Sequence, residues 1–214
     1  MDKKAIIFDL DGTLVDTLSD ISSAVNEMLV HFNLPVHTEA DICRMIGTGA
    51  RNLIRLALPE ERRNDAFVDE TLEYYRGCYD RSLIVNTRVY KGLYEVLCKF
   101  RDDGVKMAIL SNKDDGHVKA IVNALLPDLF LYANGFSPLY PRKPSPEAVI
   151  ALMDKLGVKK EETAFVGDSS VDIQTGRNAG ILSVGVTWGF GGKEAFLGMT
   201  PDVTVDCPEQ LLDI

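Results

Sequence analysis

The apolar positions of this chain follow two periods, and the places where one gives way to the other set out its organisation. Ala5, Ile6, Ile7 and Phe8 form an unbroken apolar run with no polar face, the pattern of a strand buried on both sides in a parallel sheet. The run then breaks into Asp9, Leu10, Asp11, Gly12 and Thr13. An Asp-Gly pair turns easily. Two carboxylates at the end of a buried strand are nevertheless costly unless a cation or hydrogen bonds compensate them.

Beyond Thr13 the period becomes helical. Leu18, Ile21, Val25, Met28, Leu29 and Phe32 fall on one stripe, and Thr17 with Asp20 resembles a capping box at its start. Thr38 and Asp41 repeat that signal before Ile42, Met45 and Ile46. After the Gly47-Thr48-Gly49 break, Ala50, Leu53, Ile54, Ala57 and Leu58 make a third stripe, and Val68, Leu72, Tyr75 and Tyr79 a fourth. Residues 15–85 therefore read as an all-helical insert the size of a small four-helix bundle, an inserted cap, with residues 1–14 and 86–214 as the domain it interrupts. Two linkers of this kind, near Leu14 to Asp16 and near Asn86 to Val89, suit rigid-body hinge motion.

From Tyr90 strands and helices alternate to the end. Helices are expected on Leu93–Phe100, Val118–Leu125, Val149–Leu156 and Ile173–Ala179, and a last one near Pro208. Strands are expected at Val105–Leu110, Phe130–Ala133, Thr163–Val166 and Leu182–Val186, with an edge strand at Val203–Val205. Such alternation implies right-handed crossovers and an α/β core with an open, doubly wound, Rossmann-like parallel sheet.

Composition narrows the partners. The apolar fraction of 46% supports a substantial core, and the net charge of −9 opposes attraction to nucleic acid or to anionic membranes. No leader and no long apolar span is visible, so the expected location is cytoplasmic. Cys43, Cys78, Cys98 and Cys207 are widely spaced with no CxxC pair, which fits free thiols. His31, His37 and His117 have no partners at metal or triad spacing.

In open α/β sheets ligands bind beyond the carboxyl ends of the strands. There the chain places Asp9 and Asp11 after the first strand, Ser111 after the second, Lys143 after the third, and Asp168 and Asp172 after the fourth. Carboxylates crowded into one crevice repel, by about 4 kcal/mol for a pair at 4 Å and an effective dielectric of 20. A cation is required, and an oxygen-only donor set points to magnesium. Lys143 supplies a fixed positive charge, Ser111 a hydroxyl donor, and the Gly12 turn brings backbone N–H groups close to an anion. Together these describe a site for a phosphoryl group.

DLDGT at Asp9–Thr13, LSN at Leu110–Asn112, Lys143 before Pro144, and GDSSVD at Gly167–Asp172 resemble, in order, the four motifs of the haloacid dehalogenase superfamily. The helical insert after the first motif, GTGARNLIRLAL at Gly47–Leu58 and GVTWGFGG at Gly185–Gly192 are similar to its phosphoglycolate phosphatase-like branch. The resemblance implies a magnesium-dependent phosphomonoesterase for a small phosphorylated metabolite. Asp9 is then the nucleophile that becomes an aspartyl-phosphate, and Asp11 the acid and base. By the same resemblance Asp9, the Asp11 carbonyl and Asp168 hold the metal, and Asp172 ligates through water or orients the shell. Ser111 and Lys143 hold the transferring oxygens, with Gly12, Thr13 and Asn112 beside them. Arg51, at a helix start in the insert, is a candidate for a substrate carboxylate, which fits 2-phosphoglycolate.

Plainer roles stand beside these. Asp172 also suits a helix start, Ser111 an N-cap, Lys143 a solvated surface charge and Arg51 a helix break in solvent. Trp188 and Phe190, between glycines, either pack over the site or fill the sheet edge. Other functions share the motifs: a sugar phosphomutase of the β-phosphoglucomutase type, a pyrophosphatase or a nucleotidase. A signalling receiver also uses an acidic magnesium site and a lysine. Its phosphoacceptor lies on a later strand, however, and it carries no helical insert. Whether the chain is a monomer or a homodimer is open at this level.

Overall fold

Ala5–Phe8 is strand β1, with all four side chains fully buried in the computed structural model, which describes residues 3–214. The chain divides into two units, one ending at Asp16 and resuming over Val89–Ile214, the other spanning Thr17–Arg88. In chain order β1 is followed by β2 (Val15–Asp16), α1 (Leu18–His31), α2 (Glu39–Cys43), α3 (Ala50–Ala57), α4 (Asp65–Ser82) and β3 (Arg88–Val89). Then come α5 (Leu93–Asp102), β4 (Lys106–Asp114), α6 (Asp115–Leu125), β5 (Tyr132–Phe136), α7 (Glu147–Leu156), β6 (Thr163–Gly167), α8 (Ser170–Ala179), β7 (Leu182–Val186) and β8 (Val203–Val205).

The first unit is an α/β fold built on one parallel sheet in the order β5-β4-β1-β6-β7-β8. β1 lies between β4 and β6, with Ile6 in register with Met107 on one side and Ala164 on the other. That central position explains why its residues carry no polar face: the sheet pairs both its edges and helices cover both its surfaces. Ile7, Ala108, Leu110 and Phe165 on one surface pack with Val149, Leu152, Met153 and Leu156 of α7. The strand order reverses beside β1, where the chain steps from β1 out to β4 and later back to β6. A crevice forms at such a point beyond the strand ends.

Three boundaries differ from the sequence expectation. β4 does not stop at Leu110 but continues through Ser111, Asn112 and Lys113 to Asp114, because these polar residues are buried among partners rather than released to solvent. The strand expected at 130–133 lies at Tyr132–Phe136; it is an outer strand whose residues are mostly half-buried, so apolar continuity marks it poorly. The segment after Cys207 is 3-10 helical over Pro208–Asp213.

The second unit is helical. Ile21, Val25, Met28 and Leu29 of α1, Ile42 of α2, Leu53 and Ile54 of α3, and Val68, Leu72, Tyr75 and Tyr79 of α4 share one core. Thr38 and Asp41 form the expected capping box on α2. The similar signal at Thr17 and Asp20 does not form one. Thr17 occupies the N-cap position, but its side chain accepts no capping bond, and the Asp20 carboxylate turns to Asn86 and Thr87 instead. Asn86 N and Nδ2 donate to it at 2.9 Å and Thr87 N and Oγ1 at 2.8 Å, so this acid ties the first helix to the end of the unit. Among the described residues no helix is long and apolar enough to cross a membrane.

Candidate active site

The end of β1 turns back on itself within a few residues. The Leu10 carbonyl accepts from the N–H groups of Thr13, Leu14 and Val15, and Gly12 N donates to Val15 O. Gly12 sits at φ +81°, and a Cβ there would run into the Asp168 carboxylate, so both conformation and space require glycine. This turn, with β4 and β6 on either side, delivers Asp9, Ser111 and Asp168 to one end of the sheet.

Lys143 lies at the centre of the acidic group. Its Nζ is 2.7 Å from Asp9 Oδ1 and 2.7 Å from Asp172 Oδ1, and its side chain is 3% exposed. Asn112 fixes the backbone that carries it: Lys143 N donates to Asn112 Oδ1 at 2.9 Å, and Asn112 Nδ2 donates to Lys143 O at 3.1 Å. Arg142 donates to the Asn112 carbonyl at 2.5 Å while its guanidinium stacks on Phe136. Asp172 is both a helix-capping acid and a site residue. Its Oδ2 accepts from Ser169 N and Oγ in the capping box of α8, and its Oδ1 takes Lys143.

Asp168 Oδ1 accepts from Thr13 Oγ1 at 3.1 Å, and Oδ2 accepts from Phe190 N at 3.0 Å. Trp188 Nε1 donates to the Thr13 carbonyl at 3.0 Å. At Gly189, between them, a Cβ would collide with Asp168 and with the Gly12 carbonyl. Residues 188–190 thus form a strap that holds Asp168 and the first turn, rather than filler at the sheet edge. Asp11 turns elsewhere: Lys113 Nζ is 3.0 Å from its Oδ1 and 3.2 Å from its Oδ2. Ser111 is buried, and its Oγ accepts from Lys113 N at 3.3 Å. It is not an N-cap, because α6 begins only at Asp115.

Burial dominates the electrostatics. Desolvation lifts the Asp9 carboxyl to about 7; Lys143 pulls it down, while Asp172 and Asp11 push it further up. Asp168 is raised well above the ordinary carboxylate range by its burial, then by Asp172 and Asp9, with Phe190 N and Thr13 opposing. Burial acts to lower Lys143, but Asp172 and Asp9 more than offset it, so the ammonium is held above its ordinary range.

The residues fit a hard cation. Asp9, Asp168 and Asp172 each offer an oxygen within 4.8 Å of the others, and all three are buried. Asp9 Oδ1 is buried and receives no well-aligned hydrogen bond, although Lys143 stands close enough for an ion pair. With every group ionised, the four carboxylates of Asp9, Asp11, Asp168 and Asp172 face two ammonium groups, leaving two charges to balance. A divalent ion with oxygen ligands matches both the charge and the donor type.

Of the residues expected from sequence, Asp9, Gly12, Thr13, Asn112, Lys143, Asp168 and Asp172 are joined by these contacts. Asp11 and Ser111 adjoin through Lys113. Arg51 belongs to the helical unit, where its Nε and Nη2 donate to Asp69 and Asp65 at 2.8 and 2.9 Å. Sequence reasoning does not single out Lys113, because the strand reads as ending at Leu110 and the partner that accounts for the buried lysine, Asp11, lies 102 residues away.

Residues 6–186 match the family model of the haloacid dehalogenase-like hydrolases. The chain is 34% identical over 218 residues to a phosphoglycolate phosphatase of Haemophilus influenzae, covering 99% of this chain and 97% of that protein. It is 31% identical over 214 residues to the phosphoglycolate phosphatase of Pseudomonas putida, covering 98% and 78%. The crystal structure of a predicted phosphoglycolate phosphatase from Haemophilus somnus superposes with a TM-score of 0.91 at 29% identity, covering 100% of this chain and 98% of that one.

Proposed function

Because this chain belongs to the haloacid dehalogenase-like hydrolases, as a phosphatase of their phosphoglycolate phosphatase-like branch, we propose that it hydrolyses a small phosphomonoester through an aspartyl-phosphate at Asp9, with 2-phosphoglycolate as substrate. The observation that carries the reading is the unequal treatment of the two acids of the first turn. Asp9 pairs with Lys143 and joins Asp168 and Asp172 in the carboxylate trio, whereas Asp11 lies outside that trio and pairs with Lys113. One acid is thus available to phosphorus and the other to the proton.

In the first half-reaction an Asp9 oxygen forms a bond to phosphorus as the ester P–O bond breaks, and Asp11 gives its proton to the departing alkoxide oxygen. In the second, Asp11 takes a proton from water, the water oxygen bonds to phosphorus, and the bond from phosphorus to Asp9 breaks. Lys143 and Ser111 hold the non-bridging oxygens, where fixed charges and donors aimed at developing charge give most of the rate. Asn112 holds Lys143 in place for that task. Magnesium, held by Asp9, Asp168 and the Asp11 carbonyl with Asp172 behind them, would supply neutralisation of phosphoryl charge. The net charge of −9 opposes attraction to nucleic acid and to anionic lipid surfaces, in keeping with a small-molecule substrate.

The test is phosphate release from 2-phosphoglycolate, pyrophosphate, nucleoside monophosphates and sugar phosphates, with magnesium or with EDTA, for the wild type and Asp9→Asn. The expected result is magnesium-dependent release, greatest for 2-phosphoglycolate, that falls about a thousandfold or more in the variant. Release that survives in Asp9→Asn would overturn the nucleophile. A requirement for a bisphosphorylated sugar without net phosphate release would indicate a mutase.

A further inference from the structure

Lys113 is a lysine inside a buried strand, with its side chain 6% exposed. A buried ammonium needs a compensating partner, and lysine is among the residues least often buried without one. The partner shown is Asp11, reached at 3.0 and 3.2 Å through both carboxylate oxygens at once. This contact fixes the plane of the Asp11 carboxylate as well as its position. The cluster of Asp9, Asp168 and Asp172 includes no Asp11 oxygen.

The backbone is shaped to make that contact. Between Leu110 and Asp114, β4 advances four residues while β5 advances only two, from Asn134 to Phe136. Ser111, Asn112 and Lys113 occupy the resulting bulge, the kind of irregularity that re-aims side chains beside active sites. Lys113 N is then anchored on Ser111 Oγ, and Asn112 is held by Lys143, so the lysine side chain starts from a fixed base.

We infer that Lys113 is a positioning residue that keeps the Asp11 carboxyl out of the acidic cluster and aimed at the leaving-group oxygen. The inference rests on the phosphatase reading above and adds to it the residue that sorts the two acids. It acts through Asp11 and therefore matters in proportion to how much the leaving group needs a proton. A lysine that served only to stabilise the strand would affect every substrate alike.

The experiment is kcat/KM, which reports the transfer to Asp9, for a series of magnesium-supported phosphate esters from alkyl leaving groups to 2,4-dinitrophenyl. The proteins compared are the wild type, Lys113→Met, Lys113→Arg and Asp11→Asn. Lys113→Met is expected to lose about a hundredfold on alkyl esters, and about fivefold or less on the dinitrophenyl ester, within the range that general acid catalysis contributes. Lys113→Arg should recover most of the alkyl activity. In the Asp11→Asn background the methionine substitution should add no further leaving-group selectivity. Parallel losses across the series would overturn the inference while leaving the phosphatase reading intact. Should Lys113→Met not fold, the slope measured for Lys113→Arg decides: a slope equal to that of the wild type, with activity lowered uniformly, overturns it. If the wild type hydrolyses none of the esters, both readings fall together.

Discussion

Asp20 in the helical unit and Asp168 in the α/β unit are both aspartates with almost no exposure, yet their surroundings treat the charge in opposite ways. Burial acts to raise Asp20 too, but donors from Thr87 and Asn86 outweigh it and hold the carboxyl below its ordinary range. Asp168 receives two donors, Thr13 Oγ1 and Phe190 N, and faces Asp172 and Asp9; its carboxyl is raised. On the proposed function, the difference separates an acid used for architecture from one kept ready for a ligand. An architectural acid has its charge satisfied by the chain. A ligand-binding acid is left under-compensated, at a cost to the fold that a bound cation removes.

The largest expected effect tests that division directly. Asp20→Asn puts an amide where both oxygens accept hydrogen bonds and should destabilise the protein by about 2–3 kcal/mol, the range for leaving buried donors unsatisfied. Asp168→Asn should do the reverse in EDTA. Its amide keeps an oxygen for Phe190 N and gives a donor to Thr13 Oγ1 while removing a charge that neighbours repel, so stability should rise by about 1 kcal/mol. Chemical denaturation with and without magnesium reads both. A destabilised Asp168→Asn protein in EDTA would break the comparison.

The effect of pH sharpens it. The folded-state value of Asp9, about 7, lies above the unfolded value, so the folded protein binds the extra proton between about pH 4 and 7. In EDTA the contribution of Asp9, and of Asp168 in the same direction, is therefore a stability that falls as pH rises through that window. Asp20 has the opposite sign: its contribution is present above the unfolded value and lost as pH falls below it. Magnesium, competing with the proton, should abolish the loss near neutrality. Melting temperatures at pH 5 and pH 8 check this; a magnesium-induced rise that is no larger at pH 8 than at pH 5 would contradict it.

How much of this could be read from the chain follows from the same physics. β1 and β6 were legible because strands buried on both faces are mostly apolar runs, so the acids that follow them stand out. The continuation of β4 was hidden because Ser111, Asn112 and Lys113 look like the end of a strand until their partners, Asp11 and Lys143, are in place. Those partners lie 102 and 31 residues away in sequence. Asp20 misled for a related reason. Its spacing from Thr17 fits a local capping box, but Asn86 and Thr87 offer it more donors than the helix start does. Asp172 meets a local and a distant partner with one oxygen each, capping α8 through Ser169 and pairing with Lys143.

The smallest expected effect concerns Arg51, and it tests whether this charge of the helical unit serves the proposed function. Its guanidinium is bound by Asp69 and Asp65, and Arg55 shares Asp65. All four side chains are substantially exposed, so the network contributes little to stability, and Arg51→Ala should leave the melting temperature nearly unchanged. If Arg51 exchanges these partners for the carboxylate of 2-phosphoglycolate, as its position at a helix start in the sequence suggests, the variant should raise KM for that ester about tenfold, the scale of one lost charge-assisted contact. KM for an uncharged aryl phosphate should not move, and kcat should stay close to wild type for both, because the interaction is lost equally from ground and transition states. An equal change in KM for the two esters between wild type and variant would confine Arg51 to its surface network with Asp65 and Asp69.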